Sequence, residues 1–189
     1  MTGPNISVSS KGAGIANVQK ALAQLARTDV LVGIPQERAS RPGQPVNNAE
    51  LLYIHTHGSP IRHIPPRAVI EPAINAPGNK EVITRELGDA AAAALDQKPA
   101  ECIKFLRRAG LAGSNASKAW FTDSRNGWPP NARSTVLAKL RRLKGKAHED
   151  AMTRIADMDY IGTIPDVNTV LVDTGDMRRA ITFVVRQVK

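Results

Sequence analysis

Aromatic residues make up only 4% of this 189-residue chain, and there is one cysteine, Cys102. With so few large rings, the core must be built from Ala, Val, Leu and Ile. A lone cysteine excludes an intrachain disulfide and fits a reducing compartment. No apolar run is long enough to span a bilayer. The polar start, MTGPNISVSS, lacks the charged beginning and apolar stretch of a signal peptide. The Asn115-Ala116-Ser117 sequon is therefore expected to be without consequence. Acidic residues are also in deficit, 17 against 26 lysines and arginines, which leaves a net charge of +9 and a pI near 10.1. That surplus suits polyanions or acidic protein partners and does not choose between them.

What is present is enough for one folded domain over residues 1–189. Apolar residues reach 42%, and a chain of this length buries roughly 70% of its unfolded surface. Residues 5–10 alternate weakly, as a short edge strand would. Ile15, Val18, Leu22 and Leu25 recur at steps of three and four and predict a helix. Asp29 to Ile34 (DVLVGI) reads as a strand stopped by Pro35. Residues 36–46 are a polar loop. Asn48 is a candidate N-cap for a helix carrying Leu51, Leu52 and Ile54. That helix breaks at His57-Gly58-Ser59-Pro60. Next comes Ile64-Pro65-Pro66-Arg67, whose two prolines fix φ near −65° and lack N–H donors. The segment is a rigid strut leading into a helix that begins at Val69 or Ile70.

Asn79 is a candidate cap for a helix to about Gln97, with Ile83, Leu87, Ala90, Ala91 and Ala94 as its stripe. Gly88 in its interior costs about 1 kcal/mol relative to Ala. Pro99 opens the next helix, where Cys102, Phe105, Leu106 and Ala109 share a face and Gly110 or Gly113 is a candidate stop. A further short helix would carry Ala119, Trp120 and Phe121. Ser134 or Thr135 can cap a helix with Val136, Leu137, Leu140 and Leu143 on one side and five cations on the other. A helical insertion is expected within about 140–169, and 162–168 reads as a loop. The end reads as a turn at Asp173-Thr174-Gly175, one helical turn, and a strand with Ile181, Phe183 and Val185 alternating. Two to four strands without repeated βαβ units predict an α+β fold, a small antiparallel sheet packed with several helices.

No pattern reads as a reaction centre. His55, His57 and His63 are imidazoles of the kind that bind zinc. Positions two apart on a helix diverge, however, so polar residues at a helix end are the better reading. Glu149, Asp150, Asp157 and Asp159 sit beside a basic run, as a solvated, ion-paired helix face would. Ser114, Ser117 and Ser124 lack the G-x-S-x-G elbow. Cys102 suits a small core residue, and Gly12-x-Gly14 is followed by no Lys-Ser/Thr phosphate loop. Neither an enzyme nor a cofactor is expected. The run Arg133 to Lys146 suits phosphates but offers no aromatic on which bases stack.

Three passages in order are informative together: ELLYIHTHGSPIRHIPPRAVIEPAI, NGWPPNARSTVLAK and LVDTGDMRRAITFVVR. This chain resembles the virion morphogenesis, or tail-completion, proteins of long-tailed phages, including Mu-like phages and related neck proteins. The matching positions are Ile64, Pro65, Pro66 and Arg67; Trp128, Pro130, Asn131, Ser134 and Thr135; and Leu171, Asp173, Thr174, Gly175, Met177, Arg178 and Ile181. Ala68 and Val69 stand where Pro and Phe are usual, Arg133 replaces a common Pro, and the spacer from Leu140 to Thr169 is long. The resemblance implies a structural virion protein, in a homo-oligomeric ring of six copies at the head–tail junction, made in the host cytoplasm. Implied partners are the head connector or adaptor, the tail tube or tail terminator, and genomic DNA in the lumen, with no membrane. The alternative is a basic double-stranded DNA-binding protein acting in packaging. Gly175 suits a positive-φ turn, and Asp173 or Thr174 a helix cap. Arg67 and Arg178 have forks suited to carboxylates across a subunit boundary, and Trp128 is a large anchor for a joint.

Overall fold

The computed structural model describes residues 13–157, 170–171 and 175–188. In chain order the elements are α1 (Ala13–Ala26), β1 (Thr28–Gly33), α2 (Gln36–Ala39), α3 (Asn48–His57), α4 (Ile70–Asn75), α5 (Asn79–Leu95), α6 (Pro99–Trp120), α7 (Arg133–Leu140), α8 (Lys146–Asp157), α9 (Asp176–Ala180) and β2 (Thr182–Gln187). The fold is α+β, with nine helices among the described residues and a sheet of two antiparallel strands. The strand read over 5–10, the loop over 162–168 and the turn residues Asp173 and Thr174 lie outside the described residues.

The sheet is seated on α6. Val32 and Phe183 are cross-strand partners, and both press into a notch where α6 carries Gly110 and Gly113. A Cβ at Gly113 would lie 2.9 Å from Val32 Cγ2, and one at Gly110 would overlap the Phe183 ring. The two glycines therefore do not stop the helix, as their sequence positions suggested. The helix runs 22 residues from Pro99 to Trp120, including the stretch read as a separate short helix. Each helical glycine costs about 1 kcal/mol against alanine, and close packing of the sheet offsets that cost.

The buried face of α5 is shifted from its expected stripe, while α6 buries Leu106 and Ala109 on the expected face. Ala90 and Ala93 are buried with Glu86, while Leu87 stays exposed. Alanines at the seam let two helices approach more closely than leucine would. Glu86, only 3% exposed, accepts from Arg108 Nη2 of α6 at 2.8 Å, which makes its burial tolerable.

Helix starts also differ from the sequence reading. Asn47, not Asn48, caps α3: its Oδ1 accepts from the N–H groups of Ala49 and Glu50, and Asn47 N–H donates to Glu50 Oε2, all at 2.9 Å. This is a reciprocal capping box. Asn48 turns inward and donates to Ser40 O. Asn79 is already helical, following Gly78 at φ 82°, and its amide donates to Ala73 O at 2.9 Å, tying α5 to α4. α7 starts after Ala132 with no side-chain cap, so neither Ser134 nor Thr135 serves as one. The loop 36–46 contains the one-turn α2.

The main core gathers Leu52, Val69, Phe121, Met177 and Ile181, with Trp128 and Leu171 packed on it. A satellite core forms where α8 folds back and Ala151 meets Val136 and Leu140. On α1, by contrast, the apolar stripe faces outward, with Ile15 73%, Val18 40% and Leu22 50% exposed. The opposite side of α1, with Asn17, Lys20, Ala21 and Gln24, borders a 260 Å³ hollow against α5 and α6. Around that hollow α5 and α6 present Ala94, Pro99, Cys102, Ile103 and Leu106, and of the stripe Leu25 reaches it.

Two glycine-to-alanine changes separate packing from propensity. Gly110→Ala is expected to destabilise by about 1–3 kcal/mol through overlap with Phe183. Gly88→Ala, where an added Cβ meets nothing within 4 Å, is expected to stabilise by up to about 1 kcal/mol. Urea unfolding midpoints of the two variants check this; equal shifts would contradict the seating of the sheet.

Candidate functional site

The Ile64–Arg67 strut is held down along its length. Ser59 and Ile64 exchange both backbone hydrogen bonds, at 2.8 and 2.9 Å, around the turn Pro60–Arg62. Gly58, at φ 75°, lies directly beneath: a Cβ there would be 2.8 Å from Ile64 O and 2.9 Å from Pro66 N. Only glycine accommodates both the left-handed backbone and that approach. Arg67 N–H then donates to His55 O at 2.6 Å, fastening the strut to α3.

The Arg67 side chain is 7% exposed. Its Nη2 donates to Pro129 O at 3.0 Å and to Pro130 O at 3.1 Å. From the other side, Trp128 Nε1 donates to Ala68 O at 3.1 Å, and the indole meets Phe121 edge-on at 6.0 Å. Two proline-rich stretches some sixty positions apart are thus clasped by reciprocal side-chain donors. The approach of the second stretch is set by Asp123, whose carboxylate accepts from Arg125 N and Nε at 2.9 Å. Those bonds to Arg125 hold its pKa down to about 2. The Arg125 guanidinium in turn lies 5.7 Å above the Trp120 ring. Both the Arg67 and the Trp128 side chains are engaged within the chain. Burial of one and half-burial of the other leave their polar atoms to satisfy local carbonyls.

Beside the clasp opens a cleft of about 660 Å³. Its walls combine Ile64, Pro65 and Arg67 of the strut, Asn131, Ser134 and Thr135 at the start of α7, and Leu171. All three passages singled out in the sequence contribute to it. Arg41, Arg62, His63, Lys139 and Arg142 also line it, and no acidic residue does among the described residues. A second hollow of about 670 Å³ shares Arg41 and Arg142 and adds Arg38, Arg179 and Asp176. His55 lies on the wall of the first, with its pKa lowered to about 4 by burial and then by the charges of Arg67 and Arg41.

Sequence reasoning missed Arg41, Arg62 and Arg142 as a group. Their only signal was the +9 surplus, because nothing in the spacing from 41 to 142 announces convergence. Gly175 takes φ 76° at the start of α9, as its position suggested. Arg178 is half-buried on that helix, while Asp173 and Thr174 lie outside the described residues.

The remaining candidates disperse. His57 Nδ1 sits 3.0 Å from Tyr53 O, and His63 is an exposed αL residue beyond the turn. Among the described residues no three of His, Cys, Asp and Glu gather as a metal ion would require. Ser114 and Ser117 donate to carbonyls of their own helix. Cys102 is half-buried, and burial raises its pKa. No described helix is long and apolar enough to cross a membrane. Comparison with protein-family models, with curated proteins and with solved structures returned no match.

Two outcomes are expected. Arg67→Lys keeps the charge but loses the rigid guanidinium whose Nη2 donates to both carbonyls, and should cost about 1–3 kcal/mol in urea unfolding; a loss within experimental error would dismiss the clasp. His55 has its folded pKa depressed from 6.5 to about 4, so between those values the unfolded chain binds more protons than the native one. Stability is therefore full above about pH 6.5 and falls as pH drops towards 4. Thermal midpoints measured over that range should fall less steeply in His55→Gln.

Proposed function

We propose that this chain is a structural virion protein of a long-tailed phage, forming a ring at the head–tail junction and catalysing no reaction. Three ordered sequence passages support the family reading, and their residues converge in the fold on one clasp and one cleft. The observation that carries assembly is apolar surface that one copy leaves uncovered. It comprises the stripe of Ile15, Val18 and Leu22 on α1 and the outward pair Leu31 and Val184, each of the latter 41% exposed. Leu31 and Val184 face each other across the two strands, and the sheet has no third strand among the described residues.

Such a surface suits a heterologous contact between identical copies, which closes into a ring when the rotation per copy divides a full turn. Exposed strand edges suit pairing with a neighbour. The partners on this reading are the head connector or adaptor on one side and the tail tube or terminator on the other, with DNA passing through. Six copies would carry +54, six times the +9 of one chain, which calls for acidic neighbours or DNA in the assembly. The same surplus favours a second reading, a free double-stranded DNA-binding protein used in packaging. That reading requires steep salt dependence of duplex affinity in an isolated monomer or dimer.

Image reconstruction of intact particles is the direct test. The ring reading expects density for this chain between portal and tail, and unjoined heads and tails when the protein is absent. Ile15→Asp with Leu22→Asp should abolish multimers in light scattering while leaving the circular dichroism spectrum unchanged. Normal particles lacking the protein, or turnover of a substrate by the purified chain, would overturn it.

A further inference from the structure

We propose that the cleft between the Ile64–Arg67 strut and the start of α7 docks an extended acidic peptide segment of a partner protein. The inference rests on the cleft alone and needs no particular oligomeric state.

The first argument is an uncompensated buried cation. Arg67 is 7% exposed, yet its described partners are neutral carbonyls. Its Nε is buried with no hydrogen-bond acceptor. A buried guanidinium facing only dipoles leaves a positive potential that a carboxylate would relieve. Arg41 and Arg62 add charge at the wall. α7 carries no side-chain cap, so the positive end of its dipole adds to the field over its first turn, where Ser134 and Thr135 line the cleft. In the same wall the pKa of His55 is lowered by burial first and then by Arg67 and Arg41.

The second argument is shape and lining. Leu51, Ile64, Pro65 and Leu171 add apolar lining beside the cations. Alternating carboxylates and apolar side chains on an extended peptide match that pattern, because successive side chains of a strand point to opposite sides. A volume of about 660 Å³ lies in the range of clefts that enclose a small ligand. A DNA duplex presents phosphates on a wide convex surface and does not enter such a hollow. Single-stranded bases would find no Phe, Tyr or Trp in the lining to stack on.

The test is fluorescence anisotropy on the full chain, with a short fluorescein-labelled peptide alternating Glu and Leu. The same peptide with Gln for Glu and a short DNA duplex serve as competitors. Arg41→Glu with Arg62→Glu should weaken peptide binding by roughly tenfold or more. Lys104→Glu with Arg107→Glu, an equal charge change on the exposed side of α6, should leave it within about twofold. If the double reversal at the cleft fails to fold by circular dichroism, the single change Arg62→Gln, in the exposed turn, should still weaken binding measurably. The unlabelled acidic peptide should displace the probe, and neither the Gln peptide nor the duplex should. No binding of the acidic peptide, equal loss in both double variants, or stronger displacement by the duplex would each overturn the proposal.

Discussion

A guanidinium reaching two proline carbonyls is the contact on which the rest of the molecule depends. Proline brings a carbonyl acceptor to a chain but no donor. The strut and the Trp128-Pro129-Pro130 stretch therefore cannot join by an ordinary strand ladder. Arg67 supplies the missing donors in one direction and the Trp128 indole in the other. Because the strut is stiff, fixing its end also fixes the offset between α3 and α4, and so the position of Leu52 and Val69 in the core. A lysine in place of Arg67 would carry the same charge without the planar fork.

The second constraint is the seat of the sheet. Two strands alone are marginal in water, and here they gain an anchor by laying Val32 and Phe183 into a notch that only glycine can leave open. Packing on α6 thus substitutes for the further strands that would ordinarily cover that face. On the other face the outward pair Leu31 and Val184 stays 41% exposed. The uncovered stripe on α1 extends the same pattern. Arg67, Met177 and Ile181 are buried within the chain, while Ile15, Leu22, Leu31 and Val184 stay exposed.

The charge distribution follows from this arrangement. The clasp draws together segments whose cations are scattered in sequence. The cations that line the cleft, Arg41, Arg62, Arg67, Lys139 and Arg142, come together from separate segments. The basic run from Arg133 to Lys146 contributes only Lys139 and Arg142 to its lining. The rest of that run's cations stay outside it.

Much of the secondary structure was legible from local chemistry. The strand over Asp29–Ile34, the Pro-Pro strut, the start of α6 at Pro99, the left-handed Gly175 and the closing strand all follow from short-range sterics and periodicity that need no partner. The misreadings were of one kind. Gly110 and Gly113 resemble stops until Phe183 and Val32 arrive from distant strands. Asn47 and Asn48 are equivalent as caps until one of them is needed by Ser40. The side of α1 that turns inward depends on what α5 and α6 offer it. Sequence by itself therefore determined where the backbone must be stiff, where it must turn left-handed, and that acids would be scarce. Tertiary structure alone decided that Arg67 would be buried against carbonyls and that Arg41, Arg62 and Arg142 would share a wall, because contacts across tens of residues depend on packing and leave no trace in local spacing.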